Sequence, residues 1–319
     1  MNLSLVIPVY NEEKNLLFLY DAIHETMDSI RYDWKIIFVN DCSVDGSQAV
    51  LKELAQIDPQ HVQVIAFRRN YGQTAAIAAG IDHSDGDIVI LMDADMQNDP
   101  ADIPFMLAKL DEGYDLVSGW RKDRKDPFLS RILPSRIANG LISWVTGVHL
   151  HDYGCTLKAY RREVLSGFRL YGEMHRFIPA YAVASGARVT EIVVHHHPRK
   201  YGKSKYGLER TLKVILDLFT LKFLLSFSVS PIYIFGGVGI SMIFLSVIMF
   251  LFLAVRKIFF YASVLASPFF QLGVMVFALG FQTILMGLIA ELLMRTYHET
   301  VDKPTYTIRE VINEKLKQN

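Results

Sequence analysis

Two carboxylates separated by one residue, Asp93 and Asp95, come directly after the apolar stretch DIVILM and are followed by Gln97. Oxygen ligands of this kind suit Mg²⁺ or Mn²⁺, which proteins often hold together with the phosphate oxygens of a substrate. If the chain stays extended here, alternate side chains point the same way and the three oxygens face one point. The pattern predicts a metal site that neutralises a departing diphosphate, although an Asp-x-Asp also occurs in ordinary loops.

Polar residues also follow two earlier apolar stretches. Asp41 could accept hydrogen bonds from a nucleotide base or a ribose. Pro8 and Tyr10 could pack against a flat base, with Asn11 and Glu12 near its polar edge. The same residues are typical of a strand end followed by a helix N-cap, and residue types alone leave both interpretations open.

Apolar, β-rich stretches alternate with stretches of helical spacing in the first part of the chain. Strands are predicted at residues 3–9, 34–40, 62–67, 87–92 and 114–119, and helices at 11–30, 47–57, 73–81 and 102–112. This order predicts an α/β fold with a Rossmann-like, mostly parallel, doubly wound sheet. Ligands bind at the carboxyl ends of the strands in such sheets. We therefore expect four segments to converge on one crevice: Tyr10–Glu12, Asp41, Arg68–Gly72 and Asp93–Gln97.

Two long uncharged stretches distinguish the C-terminal part. No Asp, Glu, Lys or Arg occurs between Lys222 and Arg256 or between Lys257 and Glu291. Each exceeds the roughly 20 apolar residues needed to cross a bilayer, so transmembrane helices are predicted at 231–255 and 268–292. The short connection predicts a hairpin with both termini on one side, expected to be cytosolic because nucleotide donors are made there. Residues 293–319 are predicted to be a cytosolic tail, with IREVINEKL in a solvated helix.

Two further segments, residues 128–146 and 208–228, are amphipathic with basic residues among apolar ones. They could be ordinary helices that face the core, or helices at the membrane surface with basic side chains toward lipid headgroups. The second segment adjoins the first predicted span, which favours a juxtamembrane helix there.

Composition and cysteine spacing narrow the class of protein. The 319 residues carry 33 basic and 33 acidic side chains, and this balance gives no sign of a nucleic-acid partner. Cys42 and Cys155 lie in no CxxC or His-rich spacing, which argues against a zinc site. The N-terminus lacks a basic region and a cleavage site, so no signal peptide is expected. His195–His197 could suggest a metal or a base, but they follow the strand-like VTEIVV, where successive residues point to opposite faces.

A set of ordered motifs carries a resemblance to a known family. The motifs are VIPVYNEE (6–13), NDCSVDGS (40–47), RNYGQTAAIAAG (69–80), DADMQNDP (93–100), SGWR (118–121), GCTLKAYRR (154–162), EMHRF (173–177) and RKYGKSKYG (199–207). They resemble the inverting family 2 glycosyltransferases of the GT-A fold, and within them the polyprenyl-phosphate glycosyltransferases. That group includes dolichyl-phosphate mannose synthase and bacterial undecaprenyl-phosphate glucosyltransferases. The two-span C-terminus is most similar to the bacterial glucosyl type, with residues 1–207 as the GT-A domain.

The resemblance implies roles for individual residues. The donor nucleotide would be held by Pro8, Tyr10, Glu12, Asp41 and Asp93, and the metal by Asp93, Asp95 and Gln97. The catalytic set would be Asp95, Arg121, Arg131, Arg199 and Lys205, with Arg136, Glu173, Arg176 and Ser204 on the acceptor side. Two departures concern donor contacts: the family often has a second acidic residue where this chain has Cys42, and a basic residue where it has Gln73.

The implied activity is a metal-dependent transfer of a hexose, with glucose favoured, from a UDP-sugar to undecaprenyl or a similar phosphate in a bacterial inner or plasma membrane. Alternatives are a GDP-mannose-using mannose synthase and a non-catalytic, membrane-anchored nucleotide-sugar-binding protein. A processive polysaccharide synthase is disfavoured because the chain lacks a QxxRW motif and further spans. Small residues in the first span, Gly236, Gly237, Gly239 and Ser241, could allow close helix contacts within or between chains, which leaves a homo-oligomer open.

Overall fold

The computed structural model describes residues 2–122, 133–165, 170, 174–198, 232–260, 263–265, 267–300 and 305–313. The chain divides into two compact units. The first comprises Met1–Lys222 and Pro304–Asn319, and the second comprises Phe223–Lys303.

The described part of the first unit contains eight strands and six α-helices. The strands are β1 (Asn2–Val9), β2 (Asp33–Asn40), β3 (Val62–Phe67), β4 (Ile88–Leu91), β5 (Leu116–Trp120), β6 (Lys158–Arg161), β7 (Val189–Val193) and β8 (Ile308–Ile312). The helices are α1 (Glu13–Asp28), α2 (Ser47–Ile57), α3 (Gln73–Asp82), α4 (Ile103–Asp111), α5 (Leu133–Thr146) and α6 (Ile178–Ala184), with 3₁₀ turns at Pro100–Asp102, Arg162–Leu165 and Met174–Phe177. The predicted alternation of strands and helices through α4 and β5 is therefore confirmed.

All eight strands belong to one sheet, in the order β7-β5-β6-β4-β1-β2-β3-β8. Strands β4, β1, β2 and β3 run parallel to one another, as β7 does to β5. Strand β6 is antiparallel to β4 and β5, and β8 is antiparallel to β3. The sheet is thus mixed but mostly parallel, and the carboxyl ends of its four central strands lie along one edge.

Helices cover both faces of the sheet, so the central strands are mostly apolar. Trp34, Ile36 and Phe38 of β2 pack on the face covered by α1, α2 and α4. Ile37 and Val39 pack on the opposite face, which α3 covers. This alternation along β2 follows from the two-residue period of a strand.

The predicted helix in the tail was wrong, because Ile308–Ile312 forms strand β8 at the open edge of β3. The segment IREVI fits both patterns, since its β-branched residues suit a strand as well as its spacing suits a helix. Pairing with β3 decides between them, because an exposed sheet edge offers unpaired N–H and C=O groups. The Asn313 side chain donates to Ala55 O and Val62 O at 2.6 and 3.0 Å. These bonds fix the end of the strand.

The second unit contains two long helices, α7 (Ile232–Phe260) and α8 (Pro268–Thr300). Their segments Tyr233–Phe259 and Pro268–Leu293 are long and apolar enough to cross a membrane, with mean hydropathies of 2.8 and 2.1. Only 17% of the residues in the apolar window of each helix are buried, which does not resemble the core of a soluble protein. The two predicted spans are therefore confirmed as helices.

Small residues bring these two helices together. A Cβ atom on Gly239 would lie 2.6 Å from Gly280 O, and one on Gly280 would lie 2.8 Å from Gly239 O. Ser246 donates to Gly273 O at 2.8 Å. Gly237 lies elsewhere on the helix surface, and a Cβ atom added there would meet no described atom within 4 Å. The close approach therefore depends on particular glycines rather than on the whole small-residue segment.

Candidate active site

The loops that follow β1 and β2 bind each other directly. The Asn11 amide donates to Ser43 Oγ at 2.9 Å, and the Glu12 amide donates to Ser47 Oγ at 3.0 Å. Asn11 adopts a left-handed backbone conformation with φ of 55°, which an asparagine tolerates better than most residues. The position of Tyr10, between strand and helix, is thereby set by the neighbouring loop.

Asp41 connects the second loop to the third. Its two carboxylate oxygens accept hydrogen bonds from the Tyr71 and Gly72 amides at 2.6 and 2.8 Å. Burial raises the pKa of Asp41, and the two amide bonds oppose this without reversing it. Gly72 has φ of 92°, a conformation that disfavours any side chain. Because each carboxylate oxygen has two acceptor sites, Asp41 keeps capacity for a further donor such as a base N–H.

Asp93 is held from both sides. Gln73 Nε2 donates to its Oδ1 at 2.8 Å, and Thr156 Oγ1 donates to its Oδ2 at 2.7 Å. Gln73 is the residue that departs from the family pattern, and here it orients the first carboxylate of the acidic pair. The four segments expected to converge on one crevice are therefore linked by hydrogen bonds from β1 to β4.

The chain does not stay extended through Asp93, Asp95 and Gln97, so the expected alternation of their side chains was wrong. Strand β4 ends at Leu91, and the acidic pair lies in a turn. Met96 adopts φ of 62°, and the Gln97 amide donates to Asp95 Oδ1 at 3.1 Å. This bond and the left-handed Met96, rather than strand alternation, set the local geometry of the turn.

The donor set of this turn fits a hard divalent cation that is shared with a phosphate. The predicted metal ligands are the side-chain oxygens of Asp93, Asp95 and Gln97, and hard cations prefer oxygen ligands. Among the residues that the structure describes, no group of three or more His, Cys, Asp or Glu side chains could hold a metal. Two carboxylates and an amide leave coordination positions for substrate oxygens and water, as is usual for Mg²⁺ at nucleotide sites.

A basic cluster lies beside Asp93, around Gly154. Arg121 donates through Nε and Nη2 to the two oxygens of Asp152 at 2.7 and 3.0 Å. Burial alone would lower the pKa of Arg121, but attraction to Asp152 outweighs it and the net shift is upward. A Cβ on Gly154 would lie 3.2 Å from Arg121 Nη2 and 3.9 Å from Arg176 Nη1. Arg121, predicted to be catalytic, and Arg176, predicted on the acceptor side, thus approach the same glycine, which leaves room for them.

Beside this cluster lies a small cleft, lined in part by Gly154, His175 and Arg176. Lys158 lines it and donates to Tyr153 O at 3.2 Å and also to Cys155 O. Burial lowers the pKa of Lys158 to about 8. His175 Nδ1 lies 2.6 Å from Thr74 Oγ1, which joins the Met174–Phe177 turn to the start of α3.

The histidine run binds the turn that carries Asp95 and Gln97, although it does not continue the strand as predicted. Strand β7 ends at Val193, and His196 pairs with Asn98 in an isolated antiparallel bridge. The His197 amide donates to Gln97 O at 3.0 Å. His195 binds both oxygens of Asp102 through its amide and Nδ1, at 2.7 and 2.8 Å, and this contact raises the pKa of His195. These contacts are structural: through them the histidine run supports the turn that carries Asp95.

Several predicted site residues lie outside the described part of the chain. These are Arg131, Glu173, Arg199, Ser204 and Lys205. Arg136 belongs to α5, but its side chain is not among those described. The amphipathic segment 208–228 also lies outside the described residues. Their roles stay predictions.

Three residues near the site had no role in the sequence analysis: Asp152, Thr156 and Lys158. Thr156 and Lys158 belong to the motif GCTLKAYRR, which was noticed only as a string. Because Thr156 contacts Asp93 across 63 residues, no local pattern indicates the pair. Lys158, the first residue of β6, is buried and donates to backbone carbonyls, an arrangement that no local sequence pattern indicates.

Comparison with known proteins identifies the family to which the chain is similar. Residues 4–168 match the family described as glycosyl transferase family 2. The chain is 38% identical over 317 residues to dodecaprenyl-phosphate galacturonate synthase of Rhizobium johnstonii, covering 98% of this chain and 94% of that protein. It is 36% identical over 313 residues to undecaprenyl-phosphate 4-deoxy-4-formamido-L-arabinose transferase of Proteus mirabilis, with the same two coverages of 98% and 94%. Both likenesses extend through the helical hairpin.

Solved structures of the same fold are more distant in sequence. Glucosyl-3-phosphoglycerate synthase of Mycobacterium tuberculosis, solved with Mn²⁺, UDP and phosphoglyceric acid, superposes with a TM-score of 0.54 at 17% identity. That likeness covers 69% of this chain and 78% of that one. S. aureus TarS 1–349, solved with UDP-GlcNAc, superposes with a TM-score of 0.51 at 17% identity, covering 70% and 67%. These neighbours show that the first unit has the GT-A fold.

Proposed function

The chain belongs to glycosyl transferase family 2, and we propose that it transfers a sugar from a UDP-sugar to a polyprenyl phosphate at the cytosolic face of a membrane. The observation that carries the proposal is the identity of 36–38% with two polyprenyl-phosphate sugar transferases over 98% of the chain. Because this identity includes α7 and α8, it supports a lipid acceptor as well as the enzyme class.

The donor is proposed to lie along the ends of β1, β2 and β4. Pro8, Tyr10 and Glu12 lie beside Asp41, which has acceptor capacity left for a base N–H. Asp93 and Asp95 lie at the next strand end, where the diphosphate would be placed. The M. tuberculosis neighbour was solved with Mn²⁺ and UDP-glucose, which supports a UDP donor and a divalent cation in this chain.

The acceptor is proposed to reach the site from the side of the basic cluster. Guanidinium groups bind phosphate through two parallel N–H bonds, and Arg121 and Arg176 both approach Gly154. Arg121 already shares two of its nitrogens with Asp152, which fixes its orientation. Arg131, Arg136 and Arg199 are further candidates for the acceptor phosphate, with Glu173, Ser204 and Lys205 nearby in the resemblance.

The proposed reaction needs no general base. A lipid phosphate already carries negative charge at neutral pH, and one of its oxygens forms a bond to the anomeric carbon of the sugar. The bond from that carbon to the β-phosphate oxygen of UDP breaks, its electron pair leaves with UDP, and the anomeric centre inverts. Residues of the chain act mainly by positioning the two phosphates and by offsetting their charge. When Mg²⁺ or Mn²⁺ is bound at Asp93, Asp95 and Gln97, it supplies further positive charge to the leaving diphosphate.

The test is transfer by purified protein in detergent or liposomes, with Mn²⁺ or Mg²⁺, a polyprenyl phosphate and a donor panel. UDP-glucose is the donor favoured by the sequence, while the names of the two relatives recommend UDP-galacturonate and UDP-4-deoxy-4-formamido-L-arabinose. GDP-mannose tests the alternative of a mannose synthase. Mass measurement of the lipid product identifies the sugar, and donor binding without lipid-dependent turnover would support a non-catalytic protein instead.

Replacing Asp95 with asparagine tests the acidic pair. Asp95→Asn should lower the transfer rate at least about 100-fold, because charge stabilisation of the leaving group is lost. Asp21→Asn, an exposed residue of α1, is the matched control and should keep the rate of the unchanged protein. Full activity of Asp95→Asn would contradict the metal assignment.

A further inference from the structure

The segment that leads into β8 contacts the loop between β3 and α3, residues 68–72. The Arg68 amide donates to Thr307 O at 3.1 Å, and Arg68 Nε donates to Ile308 O at 3.4 Å. These bonds extend the pairing of β8 with β3 past the end of the strand. The loop therefore has a partner that lies 240 residues away in sequence.

Tyr306 supports the same loop from beneath. Its ring stacks on Phe67 with centroids 5.2 Å apart, and its hydroxyl donates to Asp82 Oδ2 at 2.9 Å. Phe67 in turn meets Tyr71 edge to face at 5.6 Å. Only 8% of Tyr306 is exposed, so its ring fills a space between β3 and the end of α3. Hydrogen bonding with Thr307 also lowers the pKa of Tyr71.

The other side of this loop faces Asp41. Both oxygens of the Asp41 carboxylate are bound by the Tyr71 and Gly72 amides. The loop thus lies between the tail segment and the carboxylate that is proposed to bind the donor base. A displacement of Tyr71 or Gly72 would move Asp41 or release it from its two bonds.

We propose that residues 306–308 are a positioning element for the donor nucleotide: they hold the 68–72 loop in the place that orients Asp41. This inference rests on the proposed function of Asp41. It assigns a role in donor affinity to a segment that follows the helical hairpin in sequence and acts through the 68–72 loop. The acceptor side, formed around Gly154, has no contact with this element among the described residues.

The experiment compares three variants of the full chain. Tyr306→Ala removes the ring that stacks on Phe67, whereas Tyr306→Phe keeps the ring and loses only the bond to Asp82. Arg309→Ala is the matched control, since its exposed guanidinium pairs with the adjacent Glu310. Each variant is measured for donor KM, acceptor KM, thermal unfolding and hydrogen exchange of the Tyr71 and Gly72 amides.

For Tyr306→Ala we expect faster hydrogen exchange of the Tyr71 and Gly72 amides. The donor KM should rise about tenfold, which corresponds to about 1.4 kcal/mol. The acceptor KM should stay within about twofold of that of the unchanged protein. Tyr306→Phe should lie close to the unchanged protein, and Arg309→Ala should equal it. Unchanged exchange, or equal rises in both KM values, would overturn the inference. If the unchanged protein transfers no sugar, the proposed function fails, and the exchange comparison alone still decides whether the tail supports the loop.

Discussion

Thr156 donates its hydroxyl to Asp93 Oδ2 at 2.7 Å, so the first carboxylate of the acidic pair is oriented by a residue just before β6. Gln73 holds the other oxygen from the start of α3 at 2.8 Å. Together these bonds fix the carboxylate between two elements of the sheet domain. A carboxylate that is already oriented loses less entropy when it binds a cation or a diphosphate.

Thr156→Val keeps the shape of the side chain and removes the donor. A hydrogen bond to a charged group contributes about 1.5–3 kcal/mol, so kcat/KM should fall about tenfold or more, with a higher Mn²⁺ concentration needed for half-maximal rate. Thr156→Ser keeps the hydroxyl and should recover most of the rate. The check is a metal titration of transfer. An identical metal dependence in Thr156→Val would contradict the positioning of Asp93 by this residue.

Asp152→Asn should destabilise the first unit through Arg121. The pair is buried, with side-chain exposures of 15% for Arg121 and 4% for Asp152, and loss of one partner leaves a buried charge. The expected cost is about 3 kcal/mol. Glu112→Gln breaks the exposed pair with Lys109 and should cost less than about 1 kcal/mol. Thermal unfolding in detergent measures both, and similar shifts for the two variants would be the contrary result.

Alanine at Gly239 or Gly280 should weaken the helical hairpin. Each added Cβ would fall within 2.8 Å of a backbone oxygen of the facing helix, which forces the helices apart. Overpacking of this kind costs about 1–3 kcal/mol. Gly237→Ala is the control, since the added Cβ atom would meet no described atom within 4 Å. Unfolding midpoints of the three variants provide the measurement, and equal midpoints would refute the contact.

Lys158 should give stability an identifiable pH dependence. Burial lowers its pKa from 10.5 to about 8. Between these values the unfolded chain holds a proton that the folded chain has lost, so stability rises with pH in this window. Relative to Lys158→Met, the unchanged protein should gain at most about 3 kcal/mol between pH 8 and pH 10.5. Lys109→Met, at an exposed lysine, should show no such rise, and a flat difference for Lys158→Met would contradict the lowered pKa.

The sequence predicted best those features of the site that depend on the order of strands and helices. Strand and helix alternation placed the segments after β1, β2, β3 and β4 at one edge, because parallel strands share the direction of their ends. The hydrogen bonds that the Asn11 amide donates to Ser43 and the Gly72 amide donates to Asp41 match that expectation. The hairpin was equally predictable, since its apolar length needs no tertiary context.

The contacts that cross the chain could not be read from local patterns. Thr156 reaches Asp93, and His197 reaches Gln97, only because the sheet places distant segments side by side. The turn at Met96 overrides the strand continuation that alternation suggested. Strand β8 depends on the free edge of β3, and the isolated sequence IREVI supports a helix as readily as a strand.

Because β8 comes later in the chain than both α7 and α8, the ribosome must synthesise the two membrane helices before the sheet can acquire its last strand. The sheet domain would therefore leave the ribosome with the edge of β3 unpaired until the tail follows. A soluble fragment that stops before α7 would lack that strand, so its donor affinity would be a poor guide to that of the whole enzyme.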